Sequence, residues 1–324
     1  MRLNVLWAAA AAVVALSMTS GAFAADKQKI VIGFVAKSQS NPVFQAAHAG
    51  ARDAAKELGE KYGVEIELNI QTPPNEDAQK QAQAVEQLAQ SGAQGIAVSC
   101  TDAGILKTAI DKAVDAGAAV MCFDSDSPKS KRFAYYGTND AECGKVVMNE
   151  LAKLMGEKGT IAVLAGNQSA PNLRARAKGV TDTLPNFKGM SLLKDGTFYH
   201  EETPEKAAAM VQAAQNAHPE IQGWAMIGGW PLFARDALKW EPGTIKVVAV
   251  DALPPELSYL KSGHVDVLLA QDCYGWGYKS VEMLLEKVVK GNAPKDPMVI
   301  DPLTRVTKDN ADEWSKKWDK WLKK

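Results

Sequence analysis

Apolar and polar positions along this chain alternate between two patterns. Short apolar runs bounded by glycine recur, and amphipathic stretches long enough for helices lie between them. Residues 30–36 form the first such run, followed by a helical stretch over 42–62, a run over 64–70 and a Gln/Ala-rich helix over 75–92. The pattern continues with a run over 95–99, a helix over 103–116 and a run over 119–123. Buried strands separated by helices predict βαβ units and a parallel sheet. A second series begins near Arg132, with strands expected over 133–136, 160–164, 190–193, 222–227, 245–250 and 265–270. Its clearest helices are expected over 141–155, 204–217 and 254–262. Each series holds enough strands for its own sheet, and 324 residues suit two doubly wound α/β lobes better than one very long sheet. No repeat characteristic of a solenoid is visible.

The two ends depart from this pattern. Arg2, the apolar run over 5–16 and Ala22-Phe23-Ala24 read as a signal peptide (1–24) cleaved after Ala24. The run is too short for the roughly 20 residues that a membrane span needs. No cysteine stands at the cleavage point to accept a lipid, so the mature chain is expected to be periplasmic. At the other end Asp309 or Asn310 can cap a helix that places Trp314, Trp318, Trp321 and Leu322 on one face. The expectation is a helix clasping its own domain, because a membrane-surface helix usually presents a longer apolar face.

Composition narrows the function. Lys+Arg 37 against Asp+Glu 38 gives a net charge of -1, with no overall basic field for nucleic acid. The four histidines are scattered, and Cys100, Cys122, Cys143 and Cys273 lack metal or redox spacing, so no metal and no cofactor is expected. Cys100 and Cys122 fall near the ends of neighbouring strands and are expected to be buried thiols rather than a disulfide. Gly33-Phe34-Val35-Ala36 stands where a dinucleotide-binding glycine fingerprint would follow the first strand. No phosphate loop and no G-x-S-x-G occurs. Asp124 and Asp126, on one turn, are poorly placed as a glycosidase pair. No residue is assigned a catalytic role.

Ligands of open α/β sheets bind at the carboxyl ends of the strands. The residues there are Asn41-Pro42-Val43-Phe44, Thr101-Asp102, Asp124-Ser125-Asp126, Asn172 with Arg174, Phe198-Tyr199, Gly228-Gly229-Trp230, Asp251 and Gln271-Asp272. Carboxylates, amides, an arginine and aromatic faces suit a neutral polyhydroxyl compound.

These segments, with Gly137-Thr138-Asn139-Asp140, Arg174-x-Arg176-x-x-Gly179, Val248-Ala249-Val250-Asp251 and Ala270-Gln271, resemble a known family. The chain is similar to the type I (ribose/galactose-binding) class of periplasmic sugar-binding proteins of ABC importers. The resemblance implies two lobes, 25–138 plus 272–300 and 139–271 plus 301–324, joined by three hinge crossovers near 138, 271 and 300. It implies a monomer that binds a pentose, hexose, deoxy sugar or polyol and docks a membrane permease, with a chemoreceptor as a further partner in some members. Asn41 matches a polar contact and Phe44 an aromatic lying on the sugar ring. Asp124 and Arg174 match a pair gripping hydroxyls from the two lobes. Phe198 matches the opposing aromatic, and Asp251 and Gln271 the late polar groups. Local roles compete with these: caps for Asn41 and Asp251, core packing for Phe44 and Phe198, a surface ion pair for Arg174.

Three positions depart from the family pattern. Val43 replaces a second aromatic, Ser125 an arginine, and Trp230 an asparagine. An indole at 230, at the start of a helix led by Pro231, offers its face to ring C–H groups and its N–H to a hydroxyl, unless it packs in the core. The run Phe123-Asp124-Ser125-Asp126 also resembles receptors of a furanosyl quorum signal. That keeps a signal receptor as an alternative, with a secreted carbohydrate-active enzyme behind it.

Overall fold

The computed structural model describes residues 27–321. The expected signal peptide lies outside the described residues. The first series folds as β1 (Lys29–Val35), α1 (Pro42–Tyr62), β2 (Glu65–Ile70), α2 (Ala78–Gln90), β3 (Gly95–Val98), α3 (Ala103–Asp115), β4 (Ala119–Phe123) and β5 (Ala134–Gly137). Helix α2 starts later than the polar pattern suggests. Pro73 and Pro74 precede it in an irregular segment that bends at 74–75, and Asp77 caps the helix through a bond from Lys80 N at 3.0 Å.

The second series comprises α4 (Asp140–Met155), β6 (Lys158–Gly166), α5 (Pro171–Thr183), β7 (Gly189–Tyr199), α6 (Pro204–Ala217), β8 (Ile221–Met226), β9 (Lys246–Val250), α7 (Pro254–Ser262) and β10 (Val267–Ala270). Then come α8 (Cys273–Lys290), β11 (Met298–Ile300), β12 (Thr304–Val306) and α9 (Ala311–Trp321). Strand β7 is much longer than its apolar run, because it continues through the polar residues Lys194 and Asp195 and through Gly196 to Tyr199. Pro231 opens no long helix. It sits in a 3₁₀ turn, Trp230–Phe233.

Two six-stranded sheets result, in the orders β11-β5-β4-β3-β1-β2 and β12-β10-β9-β8-β6-β7. All the pairings are parallel except that of β12 with β10. The chain crosses between the sheets three times: between β5 and α4, between β10 and α8, and between β11 and β12. Helix α8 returns to the first lobe and packs along α1 at backbone contact. A Cβ on Gly50 would lie 2.0 Å from Tyr274 O, and one on Gly277 1.7 Å from Ala47 O. Phe34, Phe123 and Trp224 are among the fully buried side chains, each contributing about 1.5–3 kcal/mol by leaving water.

The C-terminal helix packs on its own chain. Trp314 and Trp318 both donate their indole N–H to Ala252 O, at 2.7 and 2.9 Å, and Trp321 stacks on Tyr274 of α8. Among the described residues no helix is long and apolar enough to cross a membrane.

Candidate ligand-binding site

A small cavity lies between the lobes, lined from one side by Lys37, Asn41, Val43, Phe44, Asp124 and Trp276. From the other side come Asn172, Leu173, Arg176, Glu202, Gly228, Trp230 and Asp251, with Gln271 at a crossover. Asp124 and Asp251 follow β4 and β9, which hold matching places in the two sheet orders. Both have a left-handed backbone, φ 56° and 82°, an arrangement that side chains other than glycine adopt rarely and aspartate more readily than most. The two lobes thus turn one carboxylate each into the gap by the same local device.

The first lobe's wall starts with Asn41, whose Oδ1 accepts from Val43 N at 3.2 Å and so caps α1. It has both the capping role and a place at the cavity. Phe44 is buried and tilted against Trp276, with ring centres 6.1 Å apart. Asp124 Oδ2 accepts from Ser99 Oγ at 2.6 Å. Lys37 is 1% exposed; its Nζ donates to Asn172 Oδ1 at 3.3 Å and lies 3.9 Å from Asp124 Oδ2 and 4.0 Å from Glu202 Oε1. Burial opposes the ammonium charge, but Glu202 and Asp124 outweigh it and hold the pKa above the ordinary lysine value.

Arg176 organises the second wall. Its guanidinium donates to Asp140 Oδ1 at 2.8 Å, to Ile227 O at 3.2 Å and to Gln271 Oε1 at 2.7 Å. Gln271 in turn donates to Asp251 Oδ1 at 2.8 Å and accepts from Thr138 Oγ1 at 2.9 Å, so it ties two crossovers together. Burial pushes Asp140 up to about 6 in spite of Arg176, and pushes Asp251 up as well. Trp230 fills the space beside Gly166 and Gly228, where a Cβ would come within 2.6 and 2.5 Å of the indole.

Across the gap, Asn172 Nδ2 donates to Asp124 Oδ1 at 3.2 Å. With the lobes this close the cavity measures about 20 Å³, room for about one water. While Asn172 holds its bonds across the gap, nothing as large as a six-membered ring fits in this cavity.

The arrangement is that of a clamp between two Rossmann-like lobes. A family model described as "Periplasmic binding protein domain" matches residues 32–293. The chain belongs to that family. It is a family of solute-binding proteins rather than enzymes, and membership implies a periplasmic location. This periplasmic binding protein is 26% identical over 304 residues to the D-ribose/D-allose-binding protein of Pseudomonas aeruginosa, covering 89% of this chain and 92% of the relative. It is 24% identical over 314 residues to the D-apiose import binding protein of Actinobacillus succinogenes, covering 94% and 97%. The crystal structure of an ABC transporter solute-binding protein from Burkholderia graminis with D-arabinose superimposes with a TM-score of 0.78 at 27% identity, covering 88% of this chain and 97% of that one. The expected type I architecture of two α/β lobes is therefore present.

Not every anticipated residue reaches the cavity. Asn41, Phe44, Asp124, Trp230, Asp251 and Gln271 line it; Ser125, Arg174 and Phe198 do not. Arg174 is exposed and donates to Ser169 O at 3.3 Å. At about 100° per residue it sits well round α5 from the cleft-facing Asn172 and Arg176, so Arg176 supplies the guanidinium instead. Phe198 lies within β7 opposite Leu164, and its ring packs on Trp224 at 5.7 Å. Ser125 is fully buried and donates to Cys100 O at 2.7 Å, pinning the turn behind Asp124. The indole N–H of Trp230 here donates to Glu202 Oε2 at 3.1 Å. Lys37, Glu202 and Trp276 were not anticipated. Lys37 carried a signal, being a lone cation just past a buried strand; Trp276 stands in the first turn after a crossover.

Proposed function

We propose that this protein captures a neutral monosaccharide or polyol between its lobes and passes it, unchanged, to the membrane permease of an ABC importer. The observation that carries this reading is one cavity in which Asp124 and Asp251, at matching strand ends, meet Asn41, Arg176 and the rings of Phe44, Trp230 and Trp276. Carboxylates and amides bond adjacent hydroxyls while rings cover C–H faces. Each fully buried hydroxyl bond to Asp124 or Asp251 is worth about 1.5–3 kcal/mol. The relatives named for ribose, allose and apiose, and the arabinose-bound neighbour, support a sugar as the ligand class. In this reading residues 1–24 are the export signal, cut after Ala24. The mature monomer presents the rims of both lobes to the permease once closed.

Binding works by exchange. Opening breaks the bonds of Asn172 to Lys37 and Asp124, the ring takes their place, and closure lays Trp230 and Phe44 against it. Titration calorimetry with D-ribose, D-allose, D-apiose, D-arabinose and myo-inositol tests the proposal, with mass analysis of the recovered ligand. At least one should bind and return unaltered. Failure of the whole panel, or recovery of a turned-over product, rejects it.

A further inference from the structure

Next to the inner cavity lies a second, far larger chamber of about 770 Å³, also between the lobes. Ser38, Asn75 and Glu76 line it from the first lobe, and Asn167, Tyr199, His200 and Glu202 from the second. The two compartments share the Glu202 side chain: Oε2 accepts from Trp230 of the inner wall, while Oε1 is buried with no hydrogen-bond partner. The partition is one residue thick elsewhere too. Lys37 faces the inner cavity and Ser38 the outer, and His200 of the outer chamber meets Trp230 edge-on at 4.9 Å.

The outer chamber concentrates unmet polar capacity. Ser38 Oγ, Glu76 Oε1, His200 Nε2 and Glu202 Oε1 are all buried without a hydrogen bond, with Lys37 Nζ 4.0 Å from Glu202 Oε1. Ser38 is 1%, Glu202 6% and His200 9% exposed. Buried polar atoms in native proteins are nearly always bonded, to protein or to water, so a cluster of four in one chamber marks a wall able to bond a polar ligand. The charge is one-sided. Glu76, Glu201, Glu202 and Glu205 line the chamber against Lys206, while Lys37 is already divided among Asp124, Asn172 and Glu202. Burial and the nearby Glu202 push Glu76 up to about 8, and a cation beside these two carboxylates counters their repulsion and favours the ionised form that burial opposes. A protonated amine, which brings both positive charge and several N–H donors, fits this lining; among the described residues no group of three or more His, Cys, Asp and Glu is arranged to hold a metal ion.

We infer that the outer chamber is a second subsite, taking a protonated amine carried on an arm or second unit of the ligand whose hydroxylated ring occupies the inner cavity. The inference rests on the sugar reading of that inner cavity. The amine donates to Glu202 Oε1 and Glu76 Oε1, and the remaining arm lies along Ser38 and His200. The ligand class is then an amino-substituted glycoside or cyclitol ether rather than a bare monosaccharide.

The test compares three armed forms of each ring in the sugar panel: 2-aminoethyl, its N-acetylated version and 2-hydroxyethyl. For at least one ring, the aminoethyl form should bind about tenfold tighter than the hydroxyethyl form or better, and acetylation should abolish the gain. In Glu76→Gln the ratio of amine to hydroxyl affinity should fall below about threefold, whatever happens to affinity overall. Equal binding of amine and hydroxyl arms, exclusion of every armed form while bare rings bind, or a ratio unchanged in Glu76→Gln overturns the subsite and leaves the sugar reading standing. If no bare or armed ring binds at all, both fall together.

Discussion

Asn172 reaches from α5 of the second lobe to Asp124 of the first, donating its amide N–H to Oδ1 at 3.2 Å. The same amide accepts from Lys37 Nζ at 3.3 Å. One neutral side chain thus satisfies an acid and a base of the opposite lobe at once, in place of the ligand hydroxyls that bond to Asp124 in the proposed complex. Asn172→Ala removes both bonds and weakens the ligand-free closed form by about 1–3 kcal/mol, the cost of leaving buried partners unmet. The open population rises accordingly. Small-angle scattering of the ligand-free variant should give a larger radius of gyration than the parent; equal radii would remove Asn172 from the closing equilibrium.

Trp230 has two separable roles. Its indole packs on Gly166 and Gly228, and its N–H is the donor to Glu202. Trp230→Phe keeps much of the packing and strips the carboxylate of that bond, at about 1–3 kcal/mol. Trp230→Ala also opens a cavity and should cost about 3–5 kcal/mol. Urea unfolding of the two variants without ligand measures the difference. A phenylalanine variant as stable as the parent would mean that Glu202 does not depend on the indole.

Much of this was legible in the sequence, and the reason is positional. Short apolar runs between helices fix a parallel sheet, and the chain end of each strand fixes where a ligand meets it, so Asn41, Asp124, Trp230, Asp251 and Gln271 could be found by counting outward from the runs. Errors arose where the local pattern leaves direction open. Arg174 and Arg176 lie in the same run of sequence, and only the face that α5 turns to the cleft separates them. By pattern Phe198 follows a strand because the apolar run stops at Leu193, whereas β7 continues to Tyr199 along the sheet edge. Glu202 was hidden for the same reason, since its approach to Trp230 depends on where that longer strand ends.

Acid should expose His48. The ring is buried, 3.0 Å from Thr72 Oγ1 and edge-on to Phe34, and burial together with Arg52 holds its pKa at about 4 instead of 6.5. As pH falls below 6.5 the unfolded chain takes up this proton and the folded chain does not until about 4, so stability drains away across that window. Asp140 works in the opposite sense. Its folded pKa of about 6 lies above the ordinary 3.8, so its contribution falls as pH rises through that interval. A whole-protein profile mixes the two, and a difference between variants isolates His48. The stability gap between parent and His48→Gln should shift by about 2–3 kcal/mol in favour of the variant between about pH 7 and about pH 4.5. Urea midpoints at the two pH values report it, and a gap independent of pH would reject the assignment.

The four cysteines should stay reduced and silent in the folded protein. Cys100 and Cys122 end neighbouring strands with their sulfurs 3.9 Å apart, yet all four thiols are free and buried. Exchange and alkylation both need a thiolate, and the surroundings of Cys100, Cys143 and Cys273 suppress it. The bond with Cys122 and burial push Cys100 well above its ordinary value, burial pushes Cys143 up to about 12, and burial likewise raises Cys273. A disulfide between Cys100 and Cys122 would also have to draw the sulfurs to about 2.0 Å with a near-perpendicular dihedral, inside a packed sheet that has no slack for it. Protein isolated from an oxidising compartment should therefore give almost no reaction with a thiol reagent while folded, and four equivalents per chain once unfolded in guanidinium. Two equivalents after unfolding would mean that the strands move enough to bridge 100 and 122, and rapid reaction before unfolding would mean that the lobes breathe far more widely than their packing allows.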